Sequence, residues 1–247
     1  MQLENPAVIV MAKTPRPGYV KTRLRPALSD EQCADLARGF LQDTVRKINE
    51  ISATTIIAYT PDDGGDEMRS FLPGNAQFVA QRGSDLGERL ESAIADADAD
   101  GFGPVVVIGT DSPTLPASII GSAFEHLRDN ANSVVVGPTD DGGYYLIGMS
   151  RPETRLFRKI SWSTGRVFEQ TVARAQEIPD VRILELPGWY DVDGPSDITR
   201  LIAEFEKDED ARLTAPETFQ WLAATGLVGP SKPGVLDGTR ALINAIG

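Results

Sequence analysis

One cysteine and one histidine remove whole classes of chemistry from this 247-residue chain. Cys33 by itself can form neither an internal disulfide nor a cysteine-built zinc site. It lies in a stretch of helical pattern, where a small buried side chain is its expected role. His126 is the only imidazole, so multi-histidine metal sites and histidine-centred triads drop out. Basic charge is also scarce: 24 Lys and Arg face 36 Asp and Glu, a formal charge of −12. That balance argues against a general nucleic-acid or anionic-membrane surface, since both need basic patches. No apolar run is long enough to span a bilayer, and the first residues lack the basic region of a signal peptide. A cytoplasmic enzyme without nucleic-acid or membrane partners is the expectation.

What is present has the composition of a globular protein, 41% hydrophobic and 24% charged, and a length suited to one large domain. Short β-rich runs alternate with amphipathic segments. Strands are predicted at 7–12, 54–59, 77–80, 105–109, 133–136, 144–148 and 181–186. Helices are predicted from the Ser29 and Gln32 capping pair to about Glu50, then over 86–97, 117–128, 166–176 and 216–227. The charge run 204–210 is expected to end a helix, and a Pro/Gly-rich tail follows the last one. Such alternation implies βαβ units, hence an α/β fold whose mostly parallel sheet carries helices on both faces. The early strands are apolar throughout rather than alternating, which fits burial on both sides. The main domain is assigned to 1–210, with 211–247 as its helical and irregular C-terminal extension.

In an open parallel sheet, ligands bind beyond the carboxyl ends of the strands. Three such loops carry unusual chemistry. After the first strand, Lys13, Arg16, Lys21, Arg23 and Arg25 cluster around Gly18. Against the acidic background this loop could wrap a polyphosphate, with Lys21 and Arg23 neutralising a leaving pyrophosphate. A solvated basic loop is the plain alternative, and the spacing is not that of a Walker A loop. After the most apolar strand come Thr110 and Asp111. A carboxylate there could hold a magnesium ion, which takes one or two carboxylates and substrate phosphates, or could cap the next helix. The third segment contains Asp191 and Asp193, which would point to one face of an extended chain. Asp193 would be a second metal ligand if the fold brings it beside Asp111; both acids could otherwise cap the following helix.

Two further segments rank lower. Asp141, Gly142, Gly143 and Tyr144, preceded by Asp140, read either as a turn into a strand or as an approach to the acceptor. Gln81, Gly83 and Asp85 open a helix and could equally contact a base or ribose. Trp162 is either a core residue or an acceptor contact.

These segments together resemble one bacterial group. The run Ala-Lys-Thr-Pro-Arg-Pro-Gly-Tyr-Val-Lys-Thr-Arg-Leu is joined by Asp-Leu-Gly-Glu-Arg, Gly-Thr-Asp-Ser-Pro-Thr-Leu-Pro, Asp-Gly-Gly-Tyr-Tyr-Leu-Ile-Gly, Trp-Ser-Thr and Tyr-Asp-Val-Asp, in order over roughly 8–201. They are similar to the radical-SAM/selenodomain-associated, or arsenosugar-biosynthesis-type, glycosyltransferases of the nucleotide-diphospho-sugar transferase (GT-A) superfamily. The resemblance implies a GT-A fold, Mg²⁺ or Mn²⁺ on Asp111 and Asp193, and a nucleotide held by Lys13, Gly18, Lys21, Arg23, Gln81, Gly83, Asp85 and Thr110. It implies an acceptor near Asp141, Gly142, Gly143, Tyr144 and Trp162. Many glycosyltransferases carry Asp-x-Asp at the strand end, whereas this chain has Thr110-Asp111-Ser112. Its first loop is closer to those of phospholactate and molybdopterin guanylyltransferases. The expected reaction is therefore nucleotidyl transfer from a nucleoside triphosphate to a phosphorylated small-molecule acceptor, with Lys21, Arg23 and Asp111 catalytic. Glycosyl transfer from a nucleotide-sugar is the alternative. A non-catalytic nucleotide-binding protein is a third reading, and retention of both acids and both cations speaks against it. The sequence leaves a homodimer open.

Overall fold

The computed structural model describes residues 5–25, 27–72 and 74–228. Among these residues seven strands form one sheet: β1 Ala7–Lys13, β2 Thr54–Thr60, β3 Gln77–Ala80, β4 Val105–Ile108, β5 Ser133–Pro138, β6 Tyr144–Met149 and β7 Arg182–Glu185. Their order is β3-β2-β1-β4-β6-β5-β7. Every neighbouring pair is parallel except those made by β6, which runs antiparallel between β4 and β5. The expected α/β class with a mostly parallel sheet is what the chain adopts. The Pro/Gly-rich tail lies outside the described residues.

The order of winding fixes where a ligand can sit. From β1 the chain moves outward to β2 and β3, then returns to place β4 on the other side of β1. The connections leaving β1 and β4 therefore run in opposite directions along the sheet, and a crevice lies at its carboxyl edge between them. Both faces of these strands are apolar because both are covered. Val8, Val10, Val106 and Ile108 meet Leu41 and Val45 of α1 (Asp30–Ile48) and Ile120 and Phe124 of α4 (Ala117–Asp129). Ala7, Ile9, Val105 and Val107 meet Leu90 and Ile94 of α3 (Leu86–Ala99) on the other side. Alternate residues point to opposite faces, so a parallel strand buried twice cannot show a polar period.

The capping pair at the start of α1 forms as expected: the Ser29 hydroxyl accepts from Gln32 N–H at 3.2 Å, and the Gln32 side-chain Oε1 accepts from Ser29 N–H at 2.9 Å. Two short helices were absent from the sequence reading, one before β3 and one at Glu209–Thr214. α2 (Gly65–Phe71) starts on a pair of glycines, 64 and 65, that allow a close approach. A Cβ on Gly64 would lie 2.0 Å from the Thr14 hydroxyl, and one on Gly65 2.6 Å from the Tyr59 hydroxyl. Seven residues with little apolar periodicity carry a weak helical signal.

The other side of α1 supports the C-terminal helices. Leu36 and Phe40 pack with Ile198, Leu201 and Phe205 of α6 (Pro195–Lys207) and Leu222 of α8 (Pro216–Ala224). Between them α7 (Glu209–Thr214) carries Ala211 into the same cluster. Asp43 is fully buried, and its carboxylate accepts from the Glu217 and Thr218 N–H groups at 3.0 and 2.9 Å and from the Thr218 hydroxyl at 2.6 Å. A side chain from another helix thus satisfies the open donors at the start of α8. Burial nonetheless pushes the Asp43 carboxyl above its usual range. Asp43→Ala should lower the free energy of unfolding by about 2 kcal/mol, because three buried donors lose their acceptor. Urea titration followed by circular dichroism measures this; a loss below roughly 0.5 kcal/mol would show that α8 is held by apolar packing alone.

Candidate functional site

The loop after β1 divides its cations into two groups. Arg16 is occupied by Asp63 at 2.8 Å and Glu67 at 2.8 Å, which tie the loop to α2. Arg25 binds Asp30 at 2.7 Å and the Gly18 carbonyl at 3.1 Å, closing the loop on itself. Gly18 has φ +82°, a conformation that favours glycine. Lys13, Lys21 and Arg23 instead line a cavity of about 430 Å³, together with Thr110, Asp111 and Asp193. Val20 and Leu24 are buried and anchor the loop on either side of Lys21.

Asp111 leaves the carboxyl end of β4 at the crevice. Asp193 reaches it by a longer route. β7 lies three strands from β4, about 14 Å at the usual inter-strand spacing. Residues 186–193 cross that gap over the ends of β5 and β6. Leu186 N–H donates to Val136, Trp189 N–H to Pro138, and the Tyr145 hydroxyl to the Pro187 carbonyl. Val192 N–H then donates to the Asp111 carbonyl at 2.8 Å. The Ser112 hydroxyl donates to Asp191 at 2.6 Å. The two acidic segments are thereby stitched together by backbone and side chain.

Lys21 sits where they meet. Its side chain is only 7% exposed, and its ammonium donates to Asp111 Oδ1 at 2.5 Å, to the Val192 carbonyl at 2.7 Å and to Asp193 Oδ1 at 3.3 Å. Phe40 lies under it, with its ring centre 5.1 Å away. The backbone at Lys21 is left-handed, φ 48°. A non-glycine residue in that region costs of order 1–3 kcal/mol and persists only where its surroundings hold it. Arg23, largely exposed, reaches Asp193 Oδ2 at 3.3 Å. Two carboxylates and two cations therefore neutralise one another inside the cavity.

The turn bearing Asp111 is also held from behind. Lys47, fully buried on α1, donates to the Pro113 carbonyl at 2.6 Å and the Ser112 carbonyl at 3.4 Å. Burial lowers its ammonium to about 7, opposed mainly by the Asp43 charge. Burial likewise pushes the Asp191 carboxyl up to about 7, with the charges of Asp111, Asp193 and Asp141 adding to the effect of desolvation. The sequence reading passed over Lys47. A signal existed, since Asp43 and Lys47 continue the helical row of Leu36 and Phe40, but a charged pair on an amphipathic helix reads as its solvent face.

The other anticipated residues lie outside the cavity lining. The Gln81 amide donates to the Ala58 carbonyl at 2.7 Å and the Ala12 carbonyl at 3.3 Å, beside Met11 and Lys13. Asp85 caps α3 by accepting from Glu88 N–H at 2.9 Å. Gly83, at φ +137°, packs so tightly on Glu88 that a Cβ would meet it at 2.6 Å. Asp141 accepts from the Thr139 hydroxyl at 2.6 Å and Gly143 N–H at 3.0 Å, forming the turn into β6. A Cβ on Gly142 would lie 2.1 Å from the Gly165 carbonyl, so this glycine permits two loops to touch. The Tyr144 hydroxyl is buried and faces Thr171. Trp162 packs on Gly87 at the start of α3.

A divalent cation fits the donor set. Two carboxylate oxygens and a backbone carbonyl already converge on one ammonium nitrogen. Hard cations such as Mg²⁺ take oxygen ligands of this kind and complete their shell with water and phosphate. Among the described residues no three His, Cys, Asp or Glu side chains form a closed cage. No described helix is long and apolar enough to cross a membrane.

The family described as "Uncharacterized protein conserved in bacteria (DUF2064)" matches residues 44–164. A crystal structure from Desulfovibrio desulfuricans G20, provisionally named a nucleotide-diphospho-sugar transferase, shares 31% identity, covers 91% of this chain and 96% of its own, and superposes with a TM-score of 0.83. CMP:2-keto-3-deoxy-manno-octonic acid synthetase complexed with CTP shares 11% identity over 82% of this chain and 98% of its own, TM-score 0.51. A cytidylyltransferase from Leptospira borgpetersenii serovar Hardjo-bovis shares 12% over 94% of this chain and all of its own, TM-score 0.53. The last two share the fold. No curated protein matches in sequence.

Lys47 gives the site a pH signature. The unfolded chain keeps this proton until about pH 10.5, whereas the folded chain releases it near 7. Between those values the unfolded state binds more protons, so stability rises with pH. The stability of the wild type relative to Lys47→Met should therefore grow by roughly 3 kcal/mol between pH 7 and 10. Unfolding midpoints across that range test it, and a flat difference would mean that the buried amine keeps its charge.

Proposed function

This chain belongs to the same family as the Desulfovibrio protein provisionally named a nucleotide-diphospho-sugar transferase, and from that premise we propose that it is a divalent-metal-dependent nucleotidyltransferase. It would move a nucleoside monophosphate from a triphosphate to the phosphate of a small-molecule acceptor and release pyrophosphate. The observation that carries this reading is the cavity itself: Lys13, Lys21 and Arg23 line one space of about 430 Å³ together with the strand-end Asp111 and the neighbouring Asp193. Three cations concentrated in a chain of charge −12 suit a leaving group that gains negative charge as its bond breaks. Within the family, the sequence motifs favour the radical-SAM-associated branch.

In this reaction an acceptor phosphate oxygen attacks the α-phosphorus in line. The bond from that phosphorus to the oxygen bridging the β-phosphate breaks, and pyrophosphate departs. An ionised acceptor phosphate has no proton to lose, so the protein needs no general base. The protein's share is positioning and charge neutralisation. Lys21, Arg23 and Lys13 would take the β- and γ-phosphates, with the backbone around Gly18 and Thr110 alongside. Asp111 and Asp193 would hold magnesium or manganese, which when bound orients the phosphates and offsets their charge. Gln81, Gly83 and Asp85 are proposed on the nucleotide side, an assignment supported by the Gln81 contact to Ala12 between two cavity-lining residues. Asp141, Gly142, Gly143, Tyr144 and Trp162 are proposed on the acceptor side, supported by the electrostatic reach of Asp141 to Asp191.

Glycosyl transfer from a nucleotide-sugar is the second reading, favoured by the name of the 31% identical relative. It would require a base for an inverting reaction. Asp140 is paired with Arg200 at 2.7 Å and Asp141 is committed to its turn, which weighs against both. Incubation with Mg²⁺, a panel of nucleoside triphosphates, phosphorylated acceptors and nucleotide-sugars separates the two. We expect acceptor-dependent pyrophosphate release that falls at least 100-fold in Asp111→Ala and Asp193→Ala, the loss typical when transition-state charge stabilisation is removed. Nucleoside diphosphate released from a nucleotide-sugar, with no pyrophosphate from any triphosphate, would support the second reading. Activity within two-fold of wild type in both variants would remove the metal from the mechanism.

A further inference from the structure

The Lys21 ammonium occupies the point on which the two candidate metal ligands converge, bonded to Asp111 Oδ1, Asp193 Oδ1 and the Val192 carbonyl. Arg23 covers the other oxygen of Asp193. Each carboxylate is already matched by a cation of the same chain. A metal ion arriving alone must share these oxygens with a fixed ammonium, and like charges at such separations repel strongly in a half-buried cleft. A polyphosphate arriving alone must draw Lys21 and Arg23 away and leave two carboxylates facing each other and Asp191. Arriving together, metal and polyphosphate satisfy every charge: the carboxylates turn to the metal and the cations to the phosphates.

We propose that Lys21 is an exchangeable counter-cation that makes metal binding and polyphosphate binding conditional on each other. The local structure suits a side-chain exchange rather than a loop movement. Val20 and Leu24 are buried on either side, Arg16 and Arg25 pin the loop at its two ends, and the Lys21 backbone is held left-handed between them. The ammonium has room to move, because its own side chain lines the 430 Å³ cavity that Lys13 and Arg23 also face. Coupling of this kind is reciprocal: whatever the polyphosphate adds to metal affinity, the metal adds to polyphosphate affinity. Its consequence is that neither ion pair opens for free metal or for free phosphate, and the site fills with a metal–polyphosphate as one ligand. This inference rests on the metal–phosphate site of the proposed function and is indifferent to which bond is then broken.

The test uses the full chain, Mn²⁺ followed by electron paramagnetic resonance, and inorganic tripolyphosphate as a probe that carries no base or sugar. Lys21→Met should bind free Mn²⁺ at least five-fold more tightly than wild type and preformed Mn–tripolyphosphate at least five-fold more weakly. Opposite signs for the two probes distinguish exchange from a structural role, which would weaken both. Lys21→Gln serves where the Met variant does not fold, folding being checked by circular dichroism. In the wild type, tripolyphosphate should raise Mn²⁺ affinity beyond what its own chelation explains, a result that needs no variant. Weaker or unchanged Mn²⁺ binding in the Lys21 variants, or simple additivity in the wild type, overturns the exchange while leaving the metal–phosphate site standing. A wild type that binds neither Mn²⁺ nor Mn–tripolyphosphate overturns both.

Discussion

A backbone hydrogen bond of 2.8 Å from Val192 N–H to the Asp111 carbonyl is the contact on which the rest of the site depends. It ends a crossing that begins at the sheet's edge and passes over two intervening strands. Without it the two acidic segments would occupy separate parts of the carboxyl edge. Ser112 repeats the link through its hydroxyl to Asp191. Lys21 then bridges the two carboxylates and the Val192 carbonyl. Three chain segments far apart in sequence are thereby locked at a single point.

The surroundings show how an acidic protein gathers several of its cations at one cavity. Of the five cations around the first loop, Arg16 and Arg25 serve its architecture, while Lys13, Lys21 and Arg23 face the cavity. Helix α1 works in both directions. Through Lys47 it supports the turn that carries Asp111, and through Asp43 it receives the first turn of α8. Buried charges of this kind are costly unless paired and hydrogen-bonded, and each is satisfied by backbone groups. The C-terminal helices are thus linked, through one helix, to the turn beside the cavity.

Much of the fold was legible because the dominant signals are local. Strands such as 7–12 and 105–109 are apolar throughout, and the Ser29–Gln32 pair marks a helix start. The glycines at 64 and 65 were not legible as the entry to a helix, since their reason is the closeness of Thr14 and Tyr59. Gln81 could be read as a base contact, yet its amide is engaged by the carbonyls of β1 and β2. Asp141 and Gly142 were ambiguous for a like cause: a turn into a strand and an approach to a ligand use the same residue types.

From its own pattern the sequence determined the α/β class, the strand-end position of Asp111 and a concentration of positive charge after the first strand. Those follow from periodicity, burial and composition, which need no knowledge of distant contacts. Only the tertiary structure decided that Asp193 lies beside Asp111, that two of the five cations are structural, and that Lys21 sits between the carboxylates. The reason is physical. Pairing among charges depends on distances of a few ångströms between segments separated by 90 and 172 residues, and no local propensity encodes such distances.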